Sequence, residues 1–125
     1  MSRNYRSGVS RESYIKKLFW DYGIPCFRPY HSAGGRPGAK IKPVDLVALP
    51  RGKPPLLIQV SKKIGRVSEA EKNELKEIAD QCNGCPLLIY KGENSYYCKI
   101  IGEDSDRELE KLLQDIEKLN LTPSI

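Results

Sequence analysis

Apolar positions recur along the chain with two different periods. Val9, Tyr14, Ile15, Leu18, Phe19 and Tyr22 fall three or four apart, the spacing of one face of an amphipathic helix. Ser10 is a candidate N-cap for this helix and Gly23 a stop. Residues 1–7 ahead of it are polar and Arg-bearing, and read as a mobile arm until a partner is met. Residues 24–30 read as a first strand. Two further runs, 44–49 and 56–61, are rich in Val, Leu and Ile, while Pro50-Arg51-Gly52-Lys53-Pro54-Pro55 between them lacks backbone donors at its prolines and must turn. That combination predicts a β-hairpin. Residues 67–83 carry Val67, Ala70, Leu75, Ile78, Ala79 and Cys82 among Lys and Glu, a second amphipathic helix begun at Ser68, with Glu71 completing a capping box and Asn83-Gly84 closing it. Strands at 86–91 and 96–101 flank the turn Gly92-Glu93-Asn94-Ser95. A last helix over 104–121 presents Leu109, Leu112, Leu113, Ile116 and Leu119. The order α-β-β-β-α-β-β-α predicts an α/β fold, a central mixed sheet flanked by helices.

Within the hairpin, Asp45 and Gln59 are polar intruders in apolar runs. Side chains alternate along a strand, so Asp45 shares a face with Val47 and Leu49, and Gln59 shares one with Leu57 and Ser61. Burying a carboxylate beside a sheet core is costly unless a metal, a cation or hydrogen bonds hold it. The hairpin is therefore the first place to look for a site.

Composition narrows the class without changing this picture. The 125 residues, 39% hydrophobic and 30% charged, suit one globular domain spanning 1–125. No apolar run approaches the ~20 residues of a membrane span, and the first residues lack the apolar core of a signal peptide, so no membrane partner and an intracellular, cytoplasmic location are expected. Charge adds more: the net is +5, and the cations gather in the first half of the chain, whereas acids outnumber bases after Glu69. Such asymmetry is the footprint of a polyanion-binding face, with nucleic acid as the leading partner and a merely solvated basic surface as the alternative.

The stretch from His31 to Lys42 holds His31, Arg36, Lys40 and Lys42, three glycines and no acid. Glycines let backbone approach a phosphate while the cations supply charge. It lacks the order of a nucleotide-binding P-loop and reads as a loop against a DNA backbone, or else as an ordinary surface loop. Of the four cysteines, Cys82 and Cys85 form a Cys-x-x-Cys with no second pair, and Cys26 and Cys98 lie in apolar contexts. They read as structural thiols, with zinc or redox chemistry as the alternative.

The motifs together resemble the PD-(D/E)xK nuclease superfamily and, within it, the archaeal Holliday junction resolvases. The resemblance runs over roughly residues 8–91: Gly8-x-x-x-Glu12 opening a helix, Arg28, Ser32-Ala33-Gly34, Val44-Asp45-Leu46-Val47, and the basic Ser61-Lys62-Lys63. It implies a restriction-endonuclease-like nuclease fold, and a homodimer that binds branched, four-way junction DNA in recombination and repair, associated with the nucleoid. It also implies Mg²⁺-dependent endodeoxyribonuclease chemistry. On the resemblance, Glu12, Asp45 and Gln59 hold the metal, while Ser32, Ser61 and Lys63 complete the catalytic set. Arg3, Arg6, Arg11, Arg28, His31, Arg36, Lys40, Lys42 and Lys62 are the DNA-binding candidates. For Glu12, which lies in the first turn of the helix predicted from Ser10, a helix-dipole role is the structural alternative.

One departure matters. Where the family has Glu-x-Lys, this chain has Gln59-Val60-Ser61. Gln59 can ligate through its amide oxygen but adds no charge, as in the Mrr-like branch where Gln-x-Lys serves. A Ser61 hydroxyl cannot neutralise developing phosphate charge. Lys62 points to the opposite face of a regular strand, and Lys63 regains the Ser61 face about 6.6 Å further on. The centre is thus either an altered nuclease using a displaced lysine or a non-catalytic relative that binds DNA or protein.

Overall fold

The computed structural model describes residues 3–29, 44–62, 68–103 and 106–116, with side chains from Arg11 onward. Three helices, α1 (Arg3–Asp21), α2 (Glu69–Gln81) and α3 (Leu109–Asp115), flank six strands: β1 (Cys26–Phe27), β2 (Leu46–Ala48), β3 (Leu56–Ser61), β4 (Cys85–Lys91), β5 (Tyr96–Ile100) and β6 (Arg107–Glu108). The strands form one mixed sheet in the order β1-β2-β3-β4-β5-β6. Every neighbouring pair is antiparallel except β3 and β4. That pair is parallel because α2 carries the chain back between them, as parallel neighbours require a crossover. The α/β fold class predicted from the hydrophobic pattern is the observed one.

Burial explains why β3 and β4 read as near-continuous apolar runs. Both lie inside the sheet and are covered on both faces. On one face Ile15 and Phe19 of α1 and Leu109, Leu112 and Leu113 of α3 pack with Leu46, Ala48, Leu56, Ile58, Leu87 and Ile89. On the other, Leu75 and Ala79 of α2 pack with Val44 and Leu57. A fully buried Leu, Ile or Phe contributes about 1.5–3 kcal/mol.

Capping chemistry sets the helix ends. At α2 the box predicted from sequence is present: Ser68 Oγ accepts from Glu71 N–H at 3.2 Å, and Glu71 Oε1 accepts from Ser68 N–H at 3.4 Å. The helix closes through Asn83, in the left-handed region at φ 56°, and Gly84, where a Cβ would stand 3.0 Å from the Pro55 carbonyl oxygen. A side chain there would force the two segments apart by a few tenths of an ångström, so glycine lets β4 start close to the hairpin.

Several boundaries differ from the sequence reading. Helix α1 begins at Arg3 rather than at Ser10, so from Arg3 onward the arm assigned to residues 1–7 has helical backbone. Nothing there breaks a helix outright, since the interior Gly8 costs only about 1 kcal/mol. The first two hairpin-side strands shorten, to Cys26–Phe27 and Leu46–Ala48. Finally, α3 starts at Leu109 instead of residue 104, because Arg107 and Glu108 pair with Cys98 and Tyr97 to add an edge strand. In α1 only part of the predicted stripe is inward: Ile15 and Phe19 are buried, whereas Tyr14 and Tyr22 are exposed. Among the described residues no helix is long and apolar enough to cross a membrane.

Candidate functional site

The hairpin between β2 and β3 brings Asp45 beside Gln59, as their sequence positions suggest. Asp45 precedes β2, and its N–H donates to the Ile58 carbonyl at 2.8 Å. Its Oδ2 accepts from Val60 N–H, also at 2.8 Å. Ile58 is the last β3 residue paired with β2, so the carboxylate serves an amide two residues past the ladder. Hydrogen bonding thus offsets the desolvation of this half-buried acid. The Asp45 N–H, for its part, occupies the Ile58 carbonyl.

Gln59 and Ser61 point to the face covered by α2 and are the only buried polar residues among those described, each 8% exposed. Gln59 Nε2 donates to Glu71 Oε2 at 3.0 Å. Its Oε1 is buried and accepts no hydrogen bond within the described protein. Glu71 was legible in the sequence only as a capping residue. Its second role follows from topology, because a short link after β3 sets the first turn of the crossover helix near that strand's C-terminal end. Lys62, next to the buried Ser61, is exposed at the end of β3.

Glu12 lies apart from this pair in its bonding. Its Oε1 is 3.4 Å from Arg28 Nε, with the two side chains 22% and 50% exposed. A pair this open contributes roughly 0.2–1 kcal/mol. Because the helix starts at Arg3, Glu12 lies in its interior rather than in its first turn, which removes the helix-dipole role considered for it. Arg11, half-buried, hydrogen-bonds Tyr96, whose hydroxyl burial pushes above its usual range. Tyr96 also stacks on Tyr14 at 5.5 Å and lies under the Lys91 ammonium at 4.7 Å. Ser32, Lys63, His31, Arg36, Lys40 and Lys42, together with the side chains of Arg3 and Arg6, lie outside the described residues.

The donor set suits a hard divalent cation in kind. It offers an acid held at the strand end and a buried carbonyl oxygen left without a donor, both of the oxygen class that Mg²⁺ takes. No three His, Cys, Asp or Glu side chains gather among the described residues, so the oxygen of Gln59 is needed in any such site at the hairpin. The cysteines form no centre of their own: Cys82 is exposed and donates to the Ile78 carbonyl, while Cys26, Cys85 and Cys98 are buried. Burial pushes Cys26 and Cys98 up to about 12 and Cys85 to about 11, so these thiols stay protonated at neutral pH.

No family model matches the chain, and no curated protein does. Among solved structures it is similar to the Holliday junction resolvase Hjc of the archaeal hyperthermophile Archaeoglobus fulgidus. The TM-score is 0.62 at 16% identity, over 86% of this chain and 96% of that one. The fold is therefore that of an archaeal resolvase, in agreement with the resemblance read from the motifs.

Proposed function

We propose that this chain is a branched-DNA-binding protein of the resolvase type, acting inside the cell on four-way junctions as a homodimer, with a nuclease centre altered at Gln59 and Ser61. The observation that carries the reading is the Asp45 carboxylate anchored on Val60 N–H beside Gln59, in a fold shared with a resolvase. DNA would be held by the basic first half of the chain, with Arg3, Arg6, Arg28, His31, Arg36, Lys40, Lys42 and Lys62 against phosphates. Arg11 is the weaker member of that set, being engaged with Tyr96. Asp45 and Gln59 would hold Mg²⁺, with Glu12 a further ligand on the resemblance. A bound Mg²⁺ would polarise the scissile phosphate and lower the pKa of a water. Ser32 would sit near that phosphate, and Lys63 would supply the cation that Ser61 does not.

A second reading, a relative that binds DNA or protein without cutting, is favoured by one specific feature. The strand position opposite developing phosphate charge is a buried hydroxyl, and the adjacent Lys62 is exposed. One experiment separates the two. Purified protein is incubated with a labelled four-way junction with and without Mg²⁺. Retarded complexes whose affinity falls steeply with salt support DNA binding, because each neutralised phosphate releases counterions. Mg²⁺-dependent nicking in the same lanes selects the nuclease, and its absence selects the binding module. Affinity indifferent to salt would remove both.

A further inference from the structure

The buried Gln59 oxygen accepts no hydrogen bond from any of the described residues. The hydrogen bond from Gln59 Nε2 to Glu71 Oε2 at 3.0 Å fixes the orientation of the amide, since the reverse assignment would set two oxygens against each other. Oε1 is then the atom without a partner among the described residues, in a side chain 8% exposed. A buried acceptor left empty costs about 1–3 kcal/mol, and such an atom normally has an ion or a water as its missing partner.

What lies next to it decides between them. Glu71 is oriented from both sides: Oε1 is held by Ser68 N–H at 3.4 Å and by its hydroxyl at 3.3 Å, leaving Oε2 turned to Gln59. The next residue after Gln59, Val60, holds Asp45. Glu12 is committed to Arg28. The carboxylate hydrogen-bonded to the amide is thus on α2, not on α1.

We infer that Glu71 supplies the charge that Gln59 lacks, forming with Gln59 Oε1 and Asp45 an all-oxygen site for a hard divalent cation, Mg²⁺ or Mn²⁺. The inference rests on the reading of the hairpin as a nuclease-type centre and assigns it a ligand from the crossover helix. Mg²⁺ keeps several waters and is satisfied by one or two carboxylates, so two acids and an amide oxygen suffice. Second, the amide nitrogen stays on Glu71 while its oxygen turns to the cation, so one side chain both orients the acid and ligates.

The test is Mn²⁺ binding by the full chain, read from the electron paramagnetic resonance signal of free Mn²⁺ with Mg²⁺ as competitor. The parent is expected to bind one Mn²⁺ per chain that Mg²⁺ displaces. Glu71→Gln keeps the capping box, in which Gln also serves, and should weaken binding by about tenfold or more. Glu74→Gln removes the same charge from an exposed position of α2 and should change affinity by no more than about twofold. Gln59→Leu deletes the orphan oxygen, so it should abolish Mn²⁺ binding while raising the metal-free melting temperature. A parent that binds no Mn²⁺ overturns the inference, as does a Glu71→Gln protein that binds like the parent while Glu12→Gln does not. Junction binding in the same preparations keeps the two readings apart: DNA binding without Mn²⁺ sinks only the cation site, and Mn²⁺ binding without DNA sinks only the DNA reading.

Discussion

The two faces of the sheet are built from the same strands to different ends. The face under α1 and α3 is a dry core of Ile, Leu, Phe, Ala and Cys, running from Ile15 and Phe19 to Ile116. The face under α2 is thinner, with Val44, Leu57, Leu75 and Ala79 as its apolar cluster, and it also accommodates the buried Gln59 and Ser61. Alternation along β3 makes the contrast unavoidable: Leu56, Ile58 and Val60 serve one side, and Leu57, Gln59 and Ser61 the other. A strand can thus anchor a core and present a polar centre together, provided the polar side has a helix terminus to hydrogen-bond. Stability is concentrated on one face, and the candidate chemistry on the other.

The largest effect should come from the dry face. Phe19→Ala removes a fully buried ring and should cost about 3–5 kcal/mol, read as a lower urea midpoint, with junction affinity retained wherever the protein is folded. An equal loss of DNA binding under folded conditions would break the division of labour.

On the polar face, Gln59→Glu with Ser61→Lys should raise Mg²⁺-dependent junction cleavage about a hundredfold or more, since even one charge aimed at the reacting phosphate is worth roughly 2.7–4 kcal/mol. Gln59→Glu alone sets a carboxylate against Glu71 Oε2, now 3.0 Å from the Gln59 nitrogen. That single variant should melt earlier than the parent in chelator and recover with Mg²⁺. A double variant that binds junctions yet never cuts would show that the loss lies deeper than these two positions.

The dry face also carries Cys26, Cys85 and Cys98. Their pKa values rise from 9.0 to about 12, 11 and 12 on burial, so the folded state retains protons that the unfolded chain releases. Their contribution is fully present below pH 9 and is lost as pH climbs from 9 towards 11 and 12, by up to about 1.4 kcal/mol per thiol per pH unit. Melting curves at stepped pH should show this loss, and replacing Cys98 by Val should reduce its slope. Cys82, exposed, should be the first of the four to react with a thiol reagent in the native protein.

The smallest effect tests the hinge between the faces. Ser68→Ala removes one side of the capping box and should cost about 1 kcal/mol, measured by chemical denaturation. With Glu71 less firmly held, Mn²⁺ affinity should fall with it, whereas a cap serving α2 alone would leave the metal untouched.

By itself the sequence determined what local chemistry controls. Period-2 and period-3.6 patterns located the helices and most strands, Ser68 and Glu71 announced their own box, and Asp45 stood out because a carboxylate in an apolar run needs a partner. The apolar surroundings of Cys26 and Cys98 likewise pointed to structural thiols. The starts of α1 and α3 and the edge pairing were not readable. The penalty at Gly8 is too small to stop α1, and the Arg107–Glu108 pairing depends on β5 being at hand. Least readable was the Gln59–Glu71 contact. Two residues twelve positions apart, one assigned to a strand and the other to a cap, meet only when the crossover stacks α2 on the β3 face. Hydrogen bonds between elements depend on distances that no sequence period encodes, so only the tertiary structure could join the cap of one element to the intruder in another.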